Sequence, residues 1–228
     1  MSAEGIGASV RALRYWERRQ EVVANNLANV STPGFKGERV FARLLDGGPE
    51  AASATDPTRG ALSRTGRPLD LALEGDGFLV VRTDLGERYL RGGSFTVDAG
   101  GTVVTSEGHP LLGENGPLTL PPGEIVVERD GTLLVDGAVI GRLRVEEASA
   151  PPLREGANLW EPQGAGLAVA PGDVRMRSGH LEESNVDPVR ALVEMIEVQR
   201  AYGAVHRSVL AADDVMQTIT SEIGRVGG

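Results

Sequence analysis

Apolar residues recur at helical spacing near the start of the chain and predict one amphipathic helix over residues 3–30. They form two rows whose members lie seven residues apart, as the a and d positions of a coiled-coil heptad do. One a position holds the polar Gln20, which in coiled coils tends to fix the register of the helices. The two rows are Ile6, Leu13, Gln20 and Leu27, and then Trp16, Val23 and Val30.

The end of the chain carries a second and longer heptad pattern, which predicts a helix over about residues 183–225. Asp187 followed by Pro188 is typical of an N-cap and a first helical position. Nine consecutive a and d positions are apolar, a strong indication of a coiled-coil surface. These positions are Met195, Val198, Tyr202, Val205, Val209, Ala212, Met216, Ile219 and Ile223.

The two predicted helices differ in charge. Between Glu182 and Glu222 there are eight acidic residues and three arginines, a net charge of −5. The first helix carries four arginines and three glutamates, a net charge of +1. Because opposite charges attract, this difference favours contact between the two helices and disfavours pairing of the acidic helix with itself.

Short β-branched runs and turn dipeptides fill the region from Leu69 to about Val174. Dipeptides such as Asp130-Gly131 and Asp136-Gly137 supply the positive φ that two-residue hairpin turns require. The spacing predicts about ten short antiparallel strands without an intervening helix. Residues 37–66 show neither a helical nor a strand periodicity. They are rich in glycine, proline, alanine and serine, which is typical of a linker.

The predicted fold class is therefore α+β, with N- and C-terminal coiled-coil-type helices flanking a central all-β antiparallel domain. We expect a helix with its following loop over residues 1–36, a linker over 37–66, the β domain over 67–180 and the second helix over 181–228.

Composition and charge exclude several classes of function. A net charge of −9 is unfavourable for a nucleic-acid binder. The absence of cysteine excludes disulfides and thiolate metal ligands. The sequence has no run of 18 apolar residues, so we expect no membrane span. The first ten residues lack the basic and apolar regions of a Sec-type signal peptide.

No set of residues in the sequence has the spacing of a catalytic or metal site. His109, His180 and His206 are scattered, and none belongs to a recognisable ligand motif. We therefore expect no enzyme activity, no cofactor, no metal and no small-molecule substrate. Two alternatives stay open at this point: a soluble coiled-coil adaptor of fixed size, and a β-rich hydrolase, which would need a polar pocket.

Three asparagines crowd the predicted end of the first helix. Asn25, Asn26 and Asn29 are poor helix formers whose amides suit a helix end or a polar contact between elements. Pro33 and Gly34 follow, and they favour a turn with positive φ at the glycine. Asn25 and Asn29 share a helix face because they lie four residues apart.

The run over residues 22–36 resembles the N-terminal signature of the bacterial flagellar rod and hook proteins. Residues 181–188, continuing into 195–202, are similar to the C-terminal signature of the same family. Residues 65–73, 75–78 and 89–95 resemble the start of its β domain, with Leu90 where the family more often has threonine. The resemblance covers nearly the whole chain.

The resemblance implies a structural subunit of the flagellar basal-body rod that assembles helically through its terminal helices and transmits torque. The expected partners are other rod subunits, copies of itself and the flagellar export apparatus. The implied location is the periplasmic rod of the flagellum basal body, reached without a cleaved signal peptide.

Within the family, the short chain and the sequence over residues 108–122 resemble proximal-rod members, with a distal-rod or other axial, hook-type subunit as the alternative. The residues expected at the assembly interface come from the two helices and the two signatures. They are Ile6, Leu13, Trp16, Val23, Asn25, Asn26, Leu27, Asn29, Val30, Ser184, Asn185, Met195, Val198, Tyr202, Val205, Val209, Ala212, Met216 and Ile219.

Overall fold

The structure is a computed structural model that describes residues 3–45, 48–156 and 158–226. The chain divides into two compact units. The helical unit comprises the described parts of residues 1–30, 37–57 and 186–228. The β unit comprises residues 31–36 and the described parts of 58–185.

Two long helices dominate the helical unit: α1 (Ala3–Ala28) and α2 (Pro188–Val226). Helix α1 ends two residues before the predicted end, at the point where the asparagines replace good helix formers. The predicted N-cap at Asp187 is confirmed, because its carboxylate accepts a hydrogen bond from the Arg190 backbone N–H at 2.9 Å. Helix α2 therefore begins at Pro188, later than the predicted start near residue 183.

An antiparallel hairpin completes the helical unit, in a segment where the sequence predicts a linker. Strand β1 (Glu38–Leu45) pairs with β2 (Gly48–Thr55) along its whole length. Strand β2 consists mostly of small residues, so it lacks the alternation of large apolar and polar residues that predicts a strand. One example is Ala52, which lies opposite Phe41. Helix α1 packs against both strands. This packing stabilises the hairpin, because an isolated two-stranded hairpin is only marginally stable in water.

The β unit contains eighteen short strands among its described residues. Fifteen of them, β4 to β18, lie in the region for which the sequence predicts about ten, because several consist of only two residues. The strands are β3 (Leu62–Arg64), β4 (Asp70–Glu74), β5 (Phe78–Thr83), β6 (Gly86–Leu90), β7 (Gly92–Ser94), β8 (Thr96–Val97), β9 (Val103–Val104), β10 (Leu112–Gly113), β11 (Gly116–Pro117), β12 (Ile125–Val127), β13 (Thr132–Val135), β14 (Ala138–Arg142), β15 (Val145–Glu147), β16 (Leu153–Glu155), β17 (Leu159–Glu161), β18 (Leu167–Ala168), β19 (Arg175–Ser178) and β20 (His180–Glu182).

The largest sheet has six strands in the order β16-β17-β6-β5-β15-β18. Two three-stranded sheets, β19-β4-β7 and β12-β13-β14, accompany it, and β20 pairs with β3. The strand pairs among the described residues are antiparallel, which confirms the predicted α+β class with terminal helices around a mostly antiparallel β region.

The predicted turn at Asp136-Gly137 is confirmed. Val135 pairs directly with Ala138, so Asp136 and Gly137 form the whole loop between β13 and β14. Asp136 has φ 50° and Gly137 has φ 80°, the combination of a type I′ turn. The core of the unit is aliphatic, with fully buried side chains such as Leu71, Leu111 and Leu133.

We predict that Leu133→Ala destabilises the chain by about 2–5 kcal/mol, because it removes buried methyl groups and leaves a cavity. The matched control is Leu153→Ala, since Leu153 is 55% exposed and Leu133 is 0% exposed. The free energies of unfolding are measured from urea titrations of the full chain. Equal losses in the two variants would contradict the described core.

Candidate assembly surfaces

The predicted heptad faces of α1 and α2 are the faces that the helices bury within one chain. Val23 on α1 and Val198 on α2 are buried, with 3% and 0% of their surface exposed. The other described heptad side chains are half-buried: Leu13, Trp16, Gln20, Leu27, Val30, Met195, Tyr202, Val205, Val209 and Ala212. The side chains of Ile6, Met216, Ile219 and Ile223 lie outside the described residues.

The basic and acidic helices meet at a specific ion pair, as their charges predict. The Arg19 guanidinium donates hydrogen bonds to the Glu194 carboxylate at 2.8 and 3.2 Å. Burial lowers the pKa of Arg19, but the hydrogen bond and charge of Glu194 outweigh it and raise that pKa above its ordinary value. The Tyr202 hydroxyl also donates to Glu17, at 3.4 Å. These contacts fix the two helices against each other.

The opposite face of α2 is also apolar over its first turns, and it is exposed. Val189, Leu192, Val193 and Ile196 are 71%, 52%, 50% and 44% exposed. Their spacing places them on one face of the helix, turned away from Ala191 and Val198, which are buried. We call this face the outer patch of α2. The heptad pattern does not indicate this face, because the heptad positions form the longer apolar row on the other side of the helix.

Asn26 uses its amide within the chain. Its Nδ2 donates to the Glu38 carbonyl at 2.8 Å, and its Oδ1 accepts from the Glu38 N–H at 2.9 Å. This two-point contact holds the start of the β1–β2 hairpin against the end of α1. Arg18 reinforces it by donating to the Ser53 hydroxyl at 3.0 Å.

Asn25 and Asn29 form a pair on one face of the helix end. The Asn29 Nδ2 donates to the Asn25 carbonyl at 2.9 Å and to the Asn25 Oδ1 at 2.7 Å. The same Asn25 carbonyl also accepts from the Asn29 backbone N–H at 3.1 Å, so the side-chain amide adds a second donor to it. Asn25 itself is exposed.

The two signature motifs of the sequence meet in the β unit at a buried ion pair. The Lys36 ammonium donates to the Glu182 carboxylate at 2.5 Å, and the two side chains are 5% and 3% exposed. Lys36 also donates to the Thr58 carbonyl at 2.8 Å. The same Glu182 oxygen accepts from the Gly60 N–H at 3.0 Å. Both charges are therefore paired and hydrogen-bonded, as burial requires.

Close backbone packing surrounds this ion pair. Gly34, at φ 71°, donates its N–H to the Glu182 carbonyl at 2.7 Å, which confirms the predicted positive φ. A Cβ at Gly60 would lie 1.8 Å from the Glu183 carbonyl oxygen, so only glycine fits there. The Asn185 amide donates to the Thr58 carbonyl at 3.0 Å. Ser184 is half-buried beside it in sequence.

Phe35, next to Lys36 in the sequence, adds an aromatic ring beside the ion pair. Its ring is fully buried, and the Arg154 guanidinium carbon lies 4.1 Å from the ring centroid. Arg154 also donates to the Lys36 carbonyl at 2.6 Å. The two signatures are visible in the sequence, but nothing in the sequence shows that Lys36 and Glu182 face each other.

Within the described residues there is no group of three histidine, aspartate or glutamate side chains that could hold a metal ion. No helix in the described part of the chain has the length and hydropathy needed to cross a membrane.

Three family models match the chain, one near each end and one over part of the β unit. The model described as "Flagella basal body rod protein" matches residues 8–36. The flagellar hook protein FlgE/F/G D1 domain matches residues 72–135. The flagellar basal body rod FlgEFG protein C-terminal model matches residues 177–222.

Curated relatives match over nearly their full length. The flagellar basal-body rod protein FlgF of Salmonella typhimurium is 37% identical, covering 92% of this chain and 92% of the relative. FlgF of Caulobacter vibrioides is 33% identical, covering 92% and 93%. The flagellar basal-body rod protein FlgG of Bacillus subtilis is 29% identical, covering 94% and 97%.

The fold and these matches define a structural protein of the bacterial flagellum, not an enzyme. The chain belongs to the flagellar basal-body rod protein family.

We predict that Lys36→Met destabilises the chain by about 3–5 kcal/mol, because it leaves the Glu182 carboxylate buried without its partner. Arg39→Met is the matched control, since the Arg39 side chain is 79% exposed in its ion pair with Asp56. Loss of an exposed pair of this kind costs about 0–1 kcal/mol. Urea titration of both variants measures the difference, and similar losses would show that the Lys36 pair is not a buried one.

Proposed function

We propose that this protein assembles helically through its terminal helices to form part of the flagellar rod that transmits torque. Its partners are copies of itself and other rod subunits. The observation that supports this function is the second apolar face of α2. The predicted heptad face is already buried against α1 in one chain, yet four further aliphatic side chains remain exposed on the outer patch.

An exposed cluster of this kind is unfavourable for a protein that stays a soluble monomer. A helix that is apolar on two faces needs a partner on each of them. In our proposal, α1 of the same chain covers the first face, in coiled-coil fashion, and a helix of a neighbouring subunit covers the outer patch. Contacts between unlike surfaces that do not close into a ring generate a helical filament.

The remaining predicted interface residues take two different roles in this proposal. The exposed Asn25 and its partner Asn29 present amides to a neighbouring subunit. Asn26, Ser184 and Asn185 act indirectly, by holding the hairpin and the backbone around the buried ion pair in place.

We assign the chain to the proximal rod and not to the distal rod. Distal-rod proteins are expected to carry a longer segment after the first helix, and here β1 and β2 form one short hairpin within residues 38–55. The periplasmic location and passage through the flagellar export apparatus without a cleaved signal peptide belong to the same proposal. The absence of cysteine is compatible with an oxidising destination.

We predict that Ile196→Asp abolishes rod assembly and motility while the isolated chain keeps its helicity. Ile196 is 44% exposed in the chain, so the new carboxylate stays hydrated until a neighbour has to cover it. Helicity is measured by circular dichroism, and assembly by the amount of the protein in purified basal bodies. A strain that swims normally with this variant would contradict a role for the outer patch.

Val198→Asp is the matched control on the buried face of the same helix. Val198 is 0% exposed, so its replacement should destabilise the isolated chain as well as prevent assembly. The two variants together separate the folding face of α2 from its assembly face.

We predict that replacing both Asn25 and Asn29 by alanine lowers incorporation into the rod without loss of helicity in the isolated chain. Alanine has the higher helix propensity, and the two hydrogen bonds that are lost lie near solvent, one to the Asn25 carbonyl and one to its Oδ1. The readouts are circular dichroism and the amount of the variant in purified basal bodies. Either lower helicity of the isolated chain or unchanged incorporation into the rod would contradict a role in assembly. Asn25 and Asn29 would then serve only to end the helix.

A further inference from the structure

A rigid, exposed leucine stands at the tip of the hairpin formed by β5 and β6. Leu85 is 74% exposed, more than any other large hydrophobic residue that the structure describes. The Thr83 hydroxyl accepts from the Leu85 N–H at 3.2 Å and donates to the Gly86 carbonyl at 2.9 Å. Arg88 donates to the Leu85 carbonyl at 3.2 Å. The tip is therefore fixed in the shape in which it presents its leucine.

A groove elsewhere on the β unit has the properties that fit this tip. Its floor is apolar and is formed by Pro68 and by the edge strand β12, where Val126 is 47% exposed. Its charged or titratable lining residues are Arg64 and His180, which lie opposite each other on β3 and β20. No carboxylate is among the residues that line it.

The charges of the tip and the groove are complementary. Asp84, exposed, directly precedes Leu85 in the turn. The other acid beside the tip, Glu87, already binds Arg144 at 2.9 Å. Neither Asp84 nor Arg64 makes an ion pair with another described residue. The tip thus carries an exposed aliphatic side chain beside a carboxylate, and the groove carries exposed apolar surface beside a guanidinium.

We propose that Leu85 of one copy of this chain inserts into the groove beside β12 of the next copy in the rod, with Asp84 pairing with Arg64. This proposal rests on the proposed function and adds a contact between β units to the contact between helices. In this proposal each copy gives its tip to one neighbour and its groove to another, so the contact is heterologous and can repeat along a row of copies without closing. The fixed turn lowers the entropic cost of ordering the tip on binding.

Cysteine cross-linking tests this contact in the full chain, because the sequence contains no cysteine of its own. The variant Leu85→Cys/Val126→Cys is expressed in cells, and purified basal bodies are oxidised and separated without reducing agent. Disulfide formation requires the two Cβ atoms to lie about 3.5–4.5 Å apart. We expect a ladder of linked dimers, trimers and larger species.

The control pair is Leu167→Cys/Val126→Cys, since Leu167 is 63% exposed but lies on β18. This pair should give no ladder. Four results would overturn the proposal: a ladder of equal strength with the control, links that join only position 85 of one copy to position 85 of another, links within one copy, or no links at all.

Charge exchange adds a second readout. Asp84→Lys should reduce the linked fraction several-fold, and the added change Arg64→Glu in the same chain should restore it. No change with either variant would overturn the pairing. If the double-cysteine variant is present in basal bodies but forms no ladder, only this inference fails. If the unaltered chain is absent from basal bodies, the proposed function fails and this contact fails with it.

Discussion

The buried contact between Lys36 and Glu182 joins segments that lie 146 residues apart in the sequence. Neither charge could remain in this apolar setting without the other, because the desolvation of a single buried ion costs several kcal/mol. The pair also fixes Thr58 and Gly60, whose backbones bind the same two side chains. Lys36, Thr58, Gly60 and Glu182 all belong to the β unit, so the contact joins three separate segments of that unit. The contact also joins one residue of each sequence signature, Lys36 and Glu182.

The helical unit follows a different constraint, which is that a long helix gains most of its stability from packing. Helix α1 meets this need with α2 on one side and the β1–β2 hairpin on another. Helix α2 meets it on its heptad face, where Val198 is fully buried. The outer patch of α2 stays exposed in the single chain. The assembly that we propose would bury it against a neighbouring subunit.

Local sequence patterns predicted the elements, and they missed the contacts that depend on distant residues. The heptads predicted both helices and their buried faces, and Asp136-Gly137 predicted a two-residue turn that is present. The β1–β2 hairpin was not predicted, because the alanines of β2, among them Ala52 opposite Phe41, leave that strand without an apolar and polar alternation. The outer patch was not predicted, because Leu192 and Ile196 fall outside the nine apolar heptad positions that mark the other face of the helix. No periodicity could reveal the pairing of Lys36 with Glu182.

The central claim is that the outer patch of α2 is an interface between subunits. Electron cryo-microscopy of intact basal bodies, with this subunit located by a tag, measures it most directly. Our account predicts that Val189, Leu192, Val193 and Ile196, exposed in the single chain, are buried against a helix of a neighbouring subunit. A rod in which these four side chains still face solvent would contradict it.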